Sequence, residues 1–173
     1  SLLPRSLPIL EELGVLEAVR EIGVLKAGAE FVAETGEREA VFEFRRALLG
    51  GPEHAFQVRR SEFDKILFDR AAALGATALQ ETTARVTSLD ADRARVCTTE
   101  PGGRATEWET RFLVDASGRS TLVSKLLSQK HPDPRNTSAA IFGHFRGVPR
   151  RDDERGGNIR IHLTRPGWMW QIP

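Results

Sequence analysis

Apolar residues first recur at a helical spacing: Leu7, Leu10, Leu13 and Leu16 stand about one turn apart, and Gly14 and Gly23 break or end the pattern. One helix or two short ones is predicted over about Leu7 to Glu21. From Lys26 the period drops to two. Ala27, Ala29, Phe31 and Ala33 alternate with other residues, and Ala40-Val41-Phe42-Glu43-Phe44 resumes the alternation after Thr35-Gly36-Glu37, which predicts a hairpin with a glycine turn. The strongest amphipathic pattern runs from about Ser61 to Leu74. Ser61 stands where a helix cap belongs, with Asp64 three residues on; Phe63, Ile66, Leu67, Ala71 and Leu74 line one face, and Gly75 ends the helix. Three alternating runs follow, Ala84 to Leu89, Arg93 to Thr98 and Thr106 to Val114, joined by Asp90-Ala91-Asp92 and Pro101-Gly102-Gly103 as in an antiparallel meander. The last run should end as a strand in Phe112-Leu113-Val114, turn through Asp115-Ala116-Ser117-Gly118, and enter a short helix around Ser120 to Leu127. Ala139 to Phe145 and Asn158 to Leu163 predict a further strand pair, and Trp168 to Ile172 a third strand.

Composition narrows what such a chain does. The 173 residues are 40% hydrophobic and 28% charged, enough for one real core and unlike a disordered segment. A net charge of +1 gives no bulk attraction to nucleic acid or an acidic membrane, and Arg150-Arg151 is expected to be neutralised by Asp152-Asp153-Glu154 just after it. No apolar run approaches the roughly 20 residues of a bilayer span and no signal peptide opens the sequence, so a cytoplasmic location is expected. The single Cys97 has no internal disulfide partner and should fill a strand position. The four histidines, His54, His131, His144 and His162, show no ligand spacing, so no metal site is expected. Ser117 lacks the flanking glycines of a nucleophile elbow, which argues against a serine hydrolase. Both ends read as cut: a helix opens the chain with no strand before it, and the sequence stops in Trp170-Gln171-Ile172-Pro173. With no Gly-x-Gly-x-x-Gly or P-loop, these residues alone hold no pyrophosphate cradle.

Four segments carry the chemistry. Trp168-Met169-Trp170-Gln171-Ile172-Pro173 would set two indoles on one strand face as a stiff apolar wall, although two core aromatics would read the same way. Phe112 to Ser120 would deliver Asp115 and Gly118 at the carboxyl end of a buried strand, where doubly wound sheets build cofactor sites, yet any sheet protein can end a strand so. Phe56-Gln57-Val58-Arg59-Arg60-Ser61-Glu62-Phe63-Asp64 feeds the amphipathic helix; Arg60 is either a phosphate ligand or a surface arginine at a helix start. Val24-Leu25-Lys26-Ala27-Gly28-Ala29-Glu30-Phe31 places a lysine at a strand start, usually a solvated position.

In their order along the chain the segments resemble the flavin-dependent halogenases, within the FAD-dependent monooxygenase superfamily, and most of all the branch acting on phenols and pyrroles. The final Trp-x-Trp-x-Ile-Pro string matches that family's motif in full, Asp-Ala-Ser-Gly resembles its variant of the FAD segment, and Ser1-Leu2-Leu3-Pro4 is similar to the tail of its Gly-Glu-Ser-Leu-Leu-Pro run. The resemblance implies an α/β chain, α+β as a fragment: part of a glutathione-reductase-like FAD-binding fold with an antiparallel substrate sheet, its N-terminal Rossmann βαβ unit missing. Residues 1–56 would be interdomain helices and the substrate-side hairpin, 57–128 part of the FAD-binding domain with its meander, and 129–173 the start of the substrate sheet. It implies FAD as cofactor, reduced by a separate flavin reductase, and chloride or bromide as co-substrate. A flavin C4a-hydroperoxide would oxidise halide to hypohalous acid, and Lys26 would guide it to a phenolic, pyrrolic or indolic ring, free or tethered to a carrier protein, in secondary metabolite biosynthesis. Lys26, Trp168 and Trp170 would be catalytic; Gln57, Arg60, Asp115, Gly118, Ile172 and Pro173 would lie at the cofactor. The fragment alone would be inactive. The rivals are an FAD hydroxylase or a geranylgeranyl reductase-like oxidoreductase, and a non-catalytic remnant or binding domain.

Overall fold

The protein is described by a computed structural model, which covers residues 1–47, 50–129, 131, 135 and 138–173. It falls into two compact units, one made of residues 1–78 and 145–173, the other of residues 79–144. None of the helices among these residues is long and apolar enough to cross a membrane.

The first unit opens with a short 3-10 turn and two helices, α1 (Leu7–Glu12) and α2 (Leu16–Ile22). The helical spacing thus gives two short helices, because Gly14 takes a left-handed backbone (φ +70°) that an L side chain resists. α2 runs straight into β1 (Val24–Lys26), and only Ala27 separates β1 from β2 (Gly28–Val32), which forms the expected hairpin with β3 (Glu39–Glu43). β4 (Ala55–Gln57) returns to pair antiparallel with β1 and leads into α3 (Arg60–Ala73). Leu7, Leu10, Val15, Val19 and Phe56 form the buried core, and Phe63, Ile66 and Leu67 of α3 pack against it. Each such side chain contributes about 1.5 to 3 kcal/mol when fully withdrawn from water. The predicted face of α3 is shorter than expected: Ala71 and Leu74 stay exposed, with no described residue of the buried core cluster packed on them. Ser61 is not its cap. The helix begins one residue earlier, at Arg60, and no side chain caps it; Asp64 instead takes the Arg60 guanidinium at 2.9 and 3.0 Å.

The second unit is the expected meander, β5 (Thr83–Leu89), β6 (Ala94–Thr99) and β7 (Ala105–Thr110), with Cys97 a half-buried residue of β6. β7 stops four residues short of the predicted Val114 end. The Thr110 hydroxyl bonds the Phe112 carbonyl (2.9 Å) and turns the chain away, and Phe112 and Val114 are 84% and 86% exposed. An apolar run forms a strand only beside another strand, and none among the described residues pairs with it. For the same reason Ala139 to Phe145 is not a strand, and Ile141 is fully exposed. The helix expected around Ser120 to Leu127, after the Asp115 turn, is a 3-10 turn, Gly118–Ser120, followed by α4 (Leu122–Leu126).

The chain then returns to the first unit. β8 (Ile159–Thr164) pairs parallel with β2 and antiparallel with β9 (Gly167–Gln171), giving a four-stranded sheet in the order β3-β2-β8-β9.

Candidate functional site

Lys26 occupies the point where the chain passes from one sheet to another. β1 belongs to the two-stranded sheet and β2 to the four-stranded one, with a single residue between them. The Lys26 side chain is only 2% exposed, against the expectation for a lysine at a strand start. Its Nζ donates to the Ser1 hydroxyl and the Leu2 carbonyl, both at 3.0 Å, and lies 5.2 Å from the centroid of the Phe44 ring. Leu2 is fixed in turn, its N–H bonding the Phe56 carbonyl of β4 at 2.9 Å. Burial pushes the Lys26 amine below the usual lysine range, because the charged form loses its water.

Around this joint lies a set of buried polar groups. Gln57, paired with Val24 across the small sheet, donates its Nε2 to the Gly157 carbonyl at 3.1 Å. Its Oε1 is buried without a partner. Gly157 in turn is pressed against β1: a side chain there would run into the Leu25 carbonyl, the group just before Lys26. The next residue, Asn158, donates Nδ2 to Oε1 of Glu30 at 3.2 Å. Glu30 is completely buried at the centre of β2. Two arginines reach its other oxygen, Arg160 Nε at 3.3 Å and Arg151 Nε at 3.5 Å, and both also pair with Glu39. Burial, and then its hydrogen bond with Glu39, hold the Glu30 carboxyl above the ordinary carboxylate range. The expectation that Arg150-Arg151 would be neutralised by the acids just after it is corrected here. Arg151 pairs with Glu39, 112 positions away, while Asp153 is taken by Arg155 and Glu154 faces Arg45. Residues 152–157 form turns in which Asp153 accepts from Arg155, and the Arg151 side chain reaches the sheet instead.

The tryptophans stand on the four-stranded sheet. Trp170 lies opposite Ile161 and Trp168 opposite Leu163, and the registers carry the same face through Phe31 to Phe42. Phe31 and Phe42 meet edge to face at 5.4 Å. Trp168 and Trp170 are 63% and 59% exposed, so the indoles form an open apolar wall and not a core. Ile172 and Pro173 follow it, half-exposed and exposed.

Arg60 is exposed at the start of α3 with its guanidinium engaged by Asp64, and the uncapped N–H groups of that helix end are donors suited to phosphate. Together with the orphaned Gln57 oxygen, this end of β4 and α3 fits the phosphate and polar parts of a dinucleotide. In the other unit, Asp115 is held by its own loop. Its carboxylate accepts from Ser117 N–H at 3.0 Å and Val123 N–H at 2.8 Å, and hydrogen bonds from Ser117 and the Val123 backbone keep it below the ordinary aspartate range. Gly118 has a left-handed backbone (φ +60°) and open space where a side chain would start. The structure thus brings Lys26 and Gln57 together on one face of β1 and β4, and leaves Asp115 and Gly118 in a different unit. Glu30, Asn158, Gly157, Arg151 and Arg160 escaped the sequence reading. The one available signal was a glutamate between two residues, Gly28 and Val32, that share its side of a strand.

Comparison with known proteins gives the family and the fold. The family described as FAD binding domain matches residues 1–157. Over its whole length the chain is 28% identical to 1H-pyrrole-2-carbonyl-[peptidyl-carrier protein] chlorinase of Pseudomonas fluorescens, covering 44% of it, and 28% identical to tryptophan 2-halogenase of Chondromyces crocatus, covering 33%. Among solved structures, all of the chain superposes on 32% of the flavin-dependent halogenase CmlS (29% identity, TM-score 0.77). It likewise superposes on 42% of a flavoprotein/dehydrogenase from Cytophaga hutchinsonii (27% identity, TM-score 0.80). The chain therefore spans between a third and a half of the relatives it matches. With its fold a mixed α/β part of an FAD-binding halogenase fold, the chain is similar throughout to flavin-dependent halogenases and belongs to the FAD binding domain family.

Proposed function

We propose that the whole protein is a flavin-dependent halogenase, which chlorinates or brominates a phenolic, pyrrolic or indolic ring free or held on a carrier protein, with Lys26 as its catalytic amine. The observation that carries this reading is the burial of Lys26, with its Nζ held by the Ser1 hydroxyl and the Leu2 carbonyl. A neutral amine has two N–H donors and one lone pair, and the Ser1 hydroxyl and the Leu2 carbonyl accept two hydrogens. Burial favours that neutral form. The lone pair is then left for an electrophile.

Gln57, Arg60 and the start of α3 would hold FAD from the first unit, and Asp115, Gly118, Ile172 and Pro173 are assigned to the same cofactor. Bound FAD, reduced by a separate reductase, supplies with dioxygen the oxidising power that turns halide into hypohalous acid. Lys26 takes the halogen onto Nζ: an N–Cl bond forms, the O–Cl bond breaks, and the hydroxide leaves as water with an amine proton. The ring then takes chlorine from nitrogen, and the displaced ring proton restores the amine. Trp168 and Trp170 wall this path with apolar surface, excluding water and keeping the organic substrate apart from the oxidant.

The test supplies the full-length protein with reduced FAD, oxygen, chloride and phenolic, pyrrolic and indolic acceptors, free and carrier-bound. Chlorinated product that disappears in Lys26→Ala, while flavin oxidation continues, is the expected result. A hydroxylated product that does not depend on chloride overturns the halogenase reading in favour of a monooxygenase. The similarity to a flavoprotein/dehydrogenase makes reduction of the acceptor the other outcome against it.

A further inference from the structure

Lys26 sits where two sheets share one continuous strand path, with Ala27 as the single linking residue, its carbonyl accepting from the Phe44 N–H at 2.9 Å. Something must fix the angle at which β1 leaves β2, because that angle decides where the Lys26 amine points. Two buried side chains, one from each sheet, converge on the same dipeptide. Gln57 of the small sheet holds the Gly157 carbonyl at 3.1 Å, and Glu30 of the large sheet holds the Asn158 amide at 3.2 Å. Between those grips the Gly157 α-carbon is seated on the Leu25 carbonyl, with no room for even a methyl group. Arg151 and Arg160 approach the far oxygen of Glu30 at 3.5 and 3.3 Å.

We infer that Gly157-Asn158, clasped by Gln57 and Glu30, is a positioning device for Lys26, setting the orientation of its amine by locking the joint between the two sheets. The inference rests on the reading of Lys26 as the catalytic amine. Glu30 and Asn158 act on the reaction through Lys26 and touch no substrate. A buried carboxyl is costly to keep in a strand that a valine would fill, and a role in placing a reactive group is what such burial serves.

The experiment uses the full-length protein loaded with FAD, and the variants Glu30→Ala, Glu30→Gln and Asn158→Ala, each checked for folding by circular dichroism. Two quantities are read: chlorinated product per flavin oxidised, with escaped hypochlorous acid trapped in parallel, and the NMR resonance of the Lys26 ε-carbon, assigned by its loss in Lys26→Arg. Misplacing a reacting group by about 1 Å costs up to 100-fold, so Glu30→Ala and Asn158→Ala are expected to lower product per flavin by about tenfold or more. Trapped hypochlorous acid should rise to match. Glu30→Gln keeps an acceptor for Asn158 and should recover most of the product. Should Glu30→Ala fail to fold, Asn158→Ala carries the same expectation. A merely structural role would lower product and flavin oxidation together and leave their ratio untouched, which overturns the inference. If the protein proves not to halogenate, the resonance decides instead: a Lys26 signal displaced in both alanine variants and restored in Glu30→Gln supports the clasp, and an unmoved signal refutes it.

Discussion

The Lys26 joint and the Asp115 loop are both polar sites picked out by short motifs, but they are held in opposite ways. At the joint, Lys26, Glu30, Gln57 and Asn158 are buried, and their partners lie as far as 128 positions away. In the loop, Asp115, Ser117 and the N–H groups of Leu122 and Val123 satisfy one another at the surface, within eight positions of sequence. A loop held by local hydrogen bonds keeps its shape whatever the rest of the chain does. A buried joint exists only when distant segments arrive together, so every group in it is exposed to mutation elsewhere.

The comparison can be broken most sharply at Lys26. Lys26→Ala should remove chlorination by at least about 1,000-fold, the scale of losing a covalent catalyst, while flavin oxidation persists in the full-length enzyme. Next comes Glu30→Ala, which strands Arg151 and Arg160 beside a single carboxylate and should lower stability in urea by about 3 kcal/mol. Gly157→Ala drives a methyl into the Leu25 carbonyl and should cost about 2 kcal/mol in the same measurement. The effect of pH has a fixed sign. The folded state holds the Lys26 amine below its unfolded value, so stability should climb as pH rises from the folded toward the unfolded value, and Lys26→Met should flatten that climb in urea titrations. Asp115→Asn should do least. Its depressed carboxylate stabilises above the unfolded aspartate value and loses that contribution as pH falls through the folded one, so the variant's acid limb is flattened. Faster amide exchange confined to Ser117 and Val123 is the expected signature, with no change at the joint.

Local pattern made much of this architecture legible. The helix before Gly75, the β2–β3 hairpin and the meander follow from spacing and turn residues within a few positions of each other. Phe112-Leu113-Val114 and Ala139 to Phe145 misled, because alternation reports readiness to form a strand and says nothing about whether a neighbour is there to complete it. Lys26 and the two tryptophans stood out through a family resemblance, yet the burial of the first and the exposure of the others were unreadable, since both depend on packing between remote segments. Glu30 was hidden for a similar reason: a charged residue in a strand looks solvated until its partners, Asn158 and Arg160, are seen to come from the other end of the chain.

The parallel pairing of β2 with β8 also sets a timetable for folding. The meander unit is one unbroken stretch, residues 79–144, and its contacts are short in sequence, so it can form as soon as it emerges during synthesis. The unit with the lysine joint is interrupted by that stretch and closes only when β8 arrives, bringing Asn158 and Arg160 to a glutamate made far earlier. Until then β2 carries an unpaired edge and an uncompensated carboxylate. On the ribosome the burial of Glu30 is therefore among the last of the described features to be completed.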